Sequence, residues 1–379
     1  MSSAASAWMH RELSQMTSAP PVVRMASVPR ASGSSSPSNR LSPSNRHSPP
    51  TRVSTPRKQP PDLDDLGTEQ SNPATQNIDK LNTLEMCRLI NAEDALVASA
   101  VAEITPAISA VIDCITERMQ QGGRLLYMGA GTSGRLGVLD LSDMPTSYNA
   151  DPMRYIALAA GGDVTLRTAR PPVEDSRAAG AADFGSLLPV PQDTLIGISA
   201  SGRTPYVLGA LHSARAHGLL TVGLVHTRHS AVALEGQCDY VLECVVGPEV
   251  IAGSTRLKAG TATKMILNMI STAVQIKLGN TYGNLMVDVH PSNVKFAARA
   301  RNIIRNLAGQ VAGSRAKTYS DEELDGVIAR CGGSVKLAVV VVASGWGVPL
   351  CIDALERRGG SLREVLEDVR YETVVRVFV

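Results

Sequence analysis

Long apolar runs are missing from this 379-residue chain. The longest strongly apolar stretch, Leu337 to Ala343, is too short to cross a bilayer, so no membrane-spanning segment is expected. An excess of one charge is missing too. With 37 Lys and Arg against 35 Asp and Glu, the net charge is +2, which gives no reason to expect a nucleic-acid partner. Paired cysteines are also absent: Cys87, Cys114, Cys238, Cys244, Cys331 and Cys351 form no C-x-x-C motif and no metal-like cluster with histidine. That is the pattern of a reduced, intracellular chain, and no metal is expected.

A composition of 44% hydrophobic residues is enough to build one main domain with a large core. Residues 1–73 take no part in it. They are rich in Ser, Pro and Arg and carry the short repeat Ser36-Pro37-Ser38-Asn39-Arg40 and Ser42-Pro43-Ser44-Asn45-Arg46. Such a segment buries too little apolar surface to offset its ordering entropy, so a disordered tail is expected. Ser36, Ser42, Ser48 and Thr55 each precede proline, which suits a proline-directed kinase or a protein partner, an inert tail being the other reading. With Glu12 as the only acid before Asp62, the tail also has the acid-poor composition of an organellar transit segment.

Two Ser/Thr-bearing glycine loops carry the chemical signal. Gly129-Ala130-Gly131-Thr132-Ser133-Gly134-Arg135 and Ser199-Ala200-Ser201-Gly202-Arg203-Thr204-Pro205 each follow an apolar run and precede a helical pattern. Backbone N–H groups at a helix start, small residues and adjacent hydroxyls together make a cradle for a phosphorylated small molecule. The runs Arg124 to Met128, Arg154 to Ala160, Asp193 to Ile198, Leu219 to His226 and Tyr240 to Val246 read as parallel strands buried on both faces. Helical stretches lie between them, such as Pro205 to His217 with Gly218 as its C-cap signal. The alternation implies a doubly wound parallel sheet, whose ligands sit at the carboxyl ends of its strands.

The first loop also reads G-x-G-x-x-G, so a dinucleotide must be weighed. That reading needs an acid at the end of the second strand to hold a ribose hydroxyl. The strand ends instead in Ala159-Ala160-Gly161-Gly162, Asp163 comes too late, and the second hydroxyl loop would have no use. No nicotinamide or flavin cofactor is expected.

Elsewhere the pattern is helical. From Thr75, residues Leu84, Cys87, Leu89 and Ile90 form one apolar face, and Asn91 and Asp94 read as cap signals for a helix through Glu117 that packs on the sheet edge or on a partner subunit. In the long helix after Ser254, Leu257, Thr261, Ile266 and Ile270 are placed toward the core, and the stretch Met265 to Ile276 is too hydrophobic for a free surface. Beyond Gly309, short helices are expected at Ser320 to Arg330, Gly333 to Ala343, Gly347 to Arg358 and Ser361 to Asp368.

The blocks GAGTSGRLGVLD (129–140), ISASGRTPYV (198–207), GSTRLKAGTATKMILNMIS (253–271) and YGNLMVDV (282–289) closely resemble the N-acetylmuramic acid 6-phosphate etherase family. This is a branch of the sugar isomerase (SIS) fold that also includes the glucokinase regulatory protein. The resemblance runs from about Asn82 to about Leu366. It implies an α/β protein: a SIS-type three-layer αβα sandwich with a parallel sheet and N-terminal helices over 74–310, then a small C-terminal helical domain over 311–379.

The resemblance also implies a carbon–oxygen lyase acting without cofactor in the cytoplasm. The substrate carries a lactyl ether at C3 of a 6-phosphosugar, and ring opening places an aldehyde at C1 that makes the C2 proton acidic. A base takes that proton, an acid helps lactate leave, and water adds to the double bond. The family supplies two glutamates for this chemistry. Glu174, in Val173-Glu174-Asp175-Ser176, matches one and is the expected C2 base. The other position departs: where the family reads Ala-Ser-Glu-Cys-Pro-Pro, this chain has Leu141-Ser142-Asp143-Met144-Pro145-Thr146, with the carboxylate of Asp143 on a stem one methylene shorter.

The implied contacts to the phosphorylated amino sugar are Gly131, Thr132, Ser133 and Gly134 in the first loop, Ser199, Ser201, Gly202, Arg203 and Thr204 in the second, with Glu249 and Ser254. Arg256 and Lys258 are read as holding substrate anions, a neighbouring subunit or only solvent, and His290 is given no role. A homodimer with the pocket near the subunit boundary is the implied assembly. The short acid at 143 leaves a second reading, a non-catalytic sugar-phosphate-binding regulator, and a phosphosugar aldose–ketose isomerase stands third.

Overall fold

The computed structural model describes residues 66–168, 173–289, 294–312 and 318–378. The tail readings, including the phosphorylation and transit signals, and His290 lie outside them. Five strands, β1 (Leu125–Gly129), β2 (Tyr155–Ala159), β3 (Thr194–Ile198), β4 (Leu220–Val225) and β5 (Tyr240–Glu243), form one sheet. All pairs are parallel and the order is β2-β1-β3-β4-β5. Register places Gly129 beside both Ala159 and Ile198, so the chain leaves β1 and β3 at the same height. The lower end is pinned as well: Asp193, fully buried, accepts from the backbone and guanidinium of Arg124, with Arg124 Nη2 at 2.6 Å.

After α1 (Thr83–Asp94), helices α2 (Val97–Glu103), α3 (Thr105–Gln120), α4 (Gly131–Ser142), α5 (Arg177–Ser186), α6 (Pro205–Ala216) and α7 (Lys258–Lys277) form the two layers around the sheet. Strand side chains alternate between two helical layers. Leu125, Tyr127, Ile196, Ile198, Val222 and Leu224 pack with residues of α2, α3 and α7, whereas Leu126, Met128 and Leu195 pack with Phe184 of α5 and the buried face of α6. This is the expected three-layer αβα sandwich. Gly218, at φ +76, follows α6 as its sequence position implied.

The N-terminal helices differ from expectation. Asn82 caps the start of α1 in a capping box with Glu85, and Asn91 and Asp94 fall in its last turn rather than starting a helix. The single helix expected from those signals to Glu117 is instead the two helices α2 and α3. Leu84 (58% exposed) and Ile90 (39%) leave much of the expected apolar face of α1 in solvent, so it does not pack on the sheet edge. In α7, Ile266 and Ile270 are fully buried, but Leu257 is only half-buried and Thr261 is exposed, since the core side of the first turn is taken by Lys258 and Ala259.

Both expected boundaries move. Leu66, Thr68 and Asn72 are buried, so the folded unit starts before residue 74. Asn72 donates to Glu93 Oε2 (2.8 Å) and to the Pro248 carbonyl, Thr75 Oγ1 donates to the Val250 carbonyl (2.8 Å), and the Gly253 N–H donates to the Thr68 carbonyl. Residues 66–75 are therefore a strap tied across the loop that leads into α7. At the other end, a second hydrophobic cluster begins at Val287 rather than past 310. It joins α8 (Val294–Ala312), α9 (Asp321–Arg330), α10 (Val335–Ser344), α11 (Val348–Arg357) and α12 (Leu362–Phe378), with the small hairpin β6 (Thr281–Tyr282) and β7 (Leu285–Met286) at its edge. Ser320 and Ser334 cap α9 and α10, close to where the sequence placed those starts.

Candidate active site

At the carboxyl ends of β1 and β3, a cavity of about 540 Å³ opens between the two glycine loops. It is lined by Ala130, Gly131, Thr132 and Ser133 from the first loop and by Ala200, Ser201, Arg203, Thr204 and Pro205 from the second. Glu174, Asp175, Thr255 and Glu69 complete it. Adjacent parallel strands lie about 4.8 Å apart, so loops leaving neighbouring, in-register strands bring their hydroxyls to one small anion.

Local geometry keeps the helix starts open. Ala130 and Thr204, at the N-cap positions of α4 and α6, make no side-chain cap. First-turn N–H groups of α4 are thus available to a ligand, backed by the positive end of the helix dipole. Pro205 at the first position of α6 removes one N–H that would need a partner and presets the turn. Ser199, buried, shares a 2.8 Å hydrogen bond with Thr204 Oγ1, and so supports the second loop from beneath rather than lining the cavity.

Two glycines are required here for space. A side chain on Gly134 would meet the Gly129 carbonyl at 2.7 Å and Ala159 Cβ at 2.9 Å, so only glycine lets α4 start this close to the sheet. Gly202, at φ +62, would drive a Cβ to 2.4 Å from Ser230 Cβ. Both positions shape the cavity without lining it.

The remaining expected residues divide. Glu174 lines the cavity from the 173–175 turn, which packs against α6. Asp143 does not: it is exposed at the far end of α4, beyond Ser142. It lies ten residues past Ser133, about 15 Å along the axis at 1.5 Å per residue. Ser254 sits beside the lining residue Thr255 but outside the lining set.

Glu249 is corrected. It is buried, and its two carboxylate oxygens accept from the backbone N–H groups of Lys258 and Ala259, each at 2.9 Å, so it anchors the start of α7 instead of facing a substrate. Lys258 is committed too: its Nζ lies 2.6 Å from Glu93 Oε2, with the lysine buried. Burial pushes the Glu93 carboxyl up, but hydrogen bonds from Lys258 and Asn72 outweigh it and hold the group below its ordinary range.

Sequence reasoning missed three lining residues with polar side chains, Glu69, Asp175 and Thr255. Asp175 and Thr255 stood inside motifs already quoted, next to Glu174 and Ser254. Glu69 was assigned to the tail, because Thr68-Glu69-Gln70-Ser71-Asn72-Pro73 has neither apolar periodicity nor a helix signal. Its folding depends on polar contacts with residues about 180 positions away, which no local pattern reveals.

With this geometry in view, comparison with known proteins is specific. The model of the glucokinase regulatory protein N-terminal SIS domain matches residues 107–215. A protein of Streptomyces avermitilis named N-acetylmuramic acid 6-phosphate etherase is 47% identical over 305 residues, covering 80% of this chain and 94% of that one. A Rubrobacter xylanophilus protein of the same name is 44% identical over 310 residues, covering 81% and 98%. An Escherichia coli protein, again so named, is 42% identical over 305 residues, covering 80% and 99%.

Proposed function

Because this chain belongs to the N-acetylmuramic acid 6-phosphate etherase family, we propose that it is a carbon–oxygen lyase. It cleaves the lactyl ether of N-acetylmuramic acid 6-phosphate to N-acetylglucosamine 6-phosphate and lactate. The observation that carries this reading is the convergence of both hydroxyl loops and Glu174 on one cavity. The loops take the 6-phosphate through the first-turn N–H groups of α4 and the hydroxyls of Thr132, Ser133, Ser201 and Thr204. Arg203 adds positive charge, and Glu174 removes the C2 proton of the open-chain aldehyde.

Loss of the C2 proton leaves its electron pair as an enolate across C2, C1 and the aldehyde oxygen, and collapse of that enolate forms the C2–C3 double bond as the C3–O bond breaks. Its electron pair passes to the lactyl oxygen, which needs a proton. Asp143 supplies that proton from a second copy of the chain. Within one chain its distance from the phosphate loops exceeds what one sugar spans, whereas Leu139, one turn earlier on the same face of α4, is 53% exposed and calls for a cover. An apolar groove of about 550 Å³ between α3 and α7, lined by Ile108, Ile112, Met269, Ala273 and Ile276, favours a homodimer as well. Water then adds at C3 and C2 regains its proton. Among the described residues no single helix is long and apolar enough to cross a membrane, and a phosphorylated substrate suits a cytoplasmic site.

The regulatory reading is not favoured, since the etherase relatives match along 80% of the chain. Incubation with N-acetylmuramic acid 6-phosphate should release one lactate per N-acetylglucosamine 6-phosphate formed. Tight binding of the substrate with no lactate released would sink the lyase and restore the regulator.

A further inference from the structure

The cavity holds two carboxylates beyond the one the elimination uses from this chain, Asp175 next to Glu174 and Glu69 on the other side. Glu69 reaches it from the strap, and the strap is fixed where it matters: Leu66 is buried, and the Gly253 N–H holds the Thr68 carbonyl at 3.2 Å. The Glu69 carboxylate lies over Gly253, its Oε2 only 3.0 Å from where a Cβ on that glycine would stand, and Thr68 Oγ1 donates to its other oxygen at 3.3 Å. The loop 253–257 leads into α7, so Glu69 comes from the α3–α7 layer, whereas Glu174 comes from the α5–α6 layer. The two acids enter the cavity from opposite sides of the sheet.

Position beside the phosphate cradle narrows the role. Thr132 Cγ2 and the Thr255 carbonyl both lie 3.7 Å from where a Cβ on Gly260 would stand, so the first loop meets the 253–257 turn, over which Glu69 lies, at the start of α7. A carboxylate there opposes phosphate binding by like charge and needs a compensating use. In the cyclic sugar, O5 is bonded to the carbon next to C6, so the group serving O5 must stand by the phosphate. C3 is the ring atom opposite O5, which puts the elimination acids on the other side. The elimination requires an open-chain aldehyde, yet Glu174 is assigned to the C2 proton and Asp143 is exposed at the far end of α4.

We propose that Glu69 is the ring-opening acid of this site. The C1 hydroxyl gives its proton to water as C1=O forms, the C1–O5 bond breaks, and O5 takes the proton of the Glu69 carboxyl. Ring closure of the product returns it. This inference rests on the etherase reading, but its readout does not depend on lactate.

The test is interconversion of the α and β anomers of N-acetylglucosamine 6-phosphate, followed by NMR magnetisation transfer with the purified full-length protein. The unchanged protein should speed the exchange. Glu69→Gln should lose that acceleration by about a hundredfold or more, the scale of general acid catalysis, while the sugar phosphate still raises its melting temperature. Glu174→Gln should show the reverse: anomers exchange normally, and the C2 proton no longer exchanges with solvent. Glu69→Asp, which keeps charge and strap, should give an intermediate rate and serves if the amide variant fails to fold. Anomer exchange within about twofold of the unchanged protein in either Glu69 variant overturns the proposal, being far below a general-acid effect. Ready anomer exchange by a protein that releases no lactate would overturn the etherase reading alone.

Discussion

Glu249 and Glu69 are single acids near the same loop, and burial separates them. Glu249 has both oxygens occupied by the first N–H groups of α7, where a carboxylate also favours the helix dipole. Glu69 is exposed toward the cavity. His226 is a third case of a residue whose neighbours decide its use. Its Nδ1 faces the Cys244 carbonyl at 2.9 Å and so carries the proton, leaving Nε2 to accept from Thr263 Oγ1 at 2.7 Å. Fully buried in this neutral form, it is pushed down from 6.5 to about 4 by desolvation. A depressed histidine binds fewer protons folded than unfolded, so stability falls as pH drops from 6.5 toward 4 and levels off below. His226→Gln should flatten that part of the melting-temperature profile, and an unchanged slope would remove His226 as its cause. Asp143 poses the opposite question, since its backbone is held by Thr146 and Ser147 while the residue is exposed away from the cavity. Glu174→Gln should abolish C2 exchange, whereas Asp143→Glu, with the family's longer stem, should raise lactate release by up to about a hundredfold if reach limits the native rate. A lower rate would mean the site has been rebuilt around the shorter acid.

At the level of elements, the strap shows what the sequence could and could not disclose. The five strands, both loops and the capped C-terminal helices were legible because each is announced locally: continuous apolar runs, small residues at a turn, Ser at a helix start. Glu174 was legible through its motif. The strap was not, because its order comes from Asn72, Thr75 and Thr68 bonding to residues 248–253, far away in the chain. The start expected at Asn91 and Asp94 failed for a related reason, since an Asn or Asp is a weak signal alone, and it is Asn82 that caps a helix, through its reciprocal box with Glu85. A chain starting at Leu66 should therefore melt as the full chain does. One starting at Gln76 loses Asn72 and Thr75, strands the buried Lys258–Glu93 pair without its amide partner, and should lose about 1–3 kcal/mol for each buried group left unsatisfied. Equal melting of the two, measured by calorimetry, would show that the strap adds nothing to the fold.

At the scale of the whole molecule, the proposed elimination asks one site for two acids that a single chain holds apart. Glu174 stands in the cavity, while Asp143 ends α4 on an exposed face beside Leu139. If a second copy covers that face, each site takes Glu174 from one subunit and Asp143 from the other, and activity becomes a property of the dimer. Mixing two dead variants separates this from a self-sufficient chain. In a heterodimer of Glu174→Gln with Asp143→Asn, one site combines both defects and the other combines none. Random reassortment gives about half heterodimers, each with one intact site, so a co-refolded mixture should recover roughly a quarter of the native lactate release. Were both acids to act within one chain, every site in the mixture would carry a defect and no activity would return. The same mixture read by C2 exchange gives an internal control: that step needs only Glu174, so exchange should persist at every site of the Asp143→Asn subunits whether or not lactate is released.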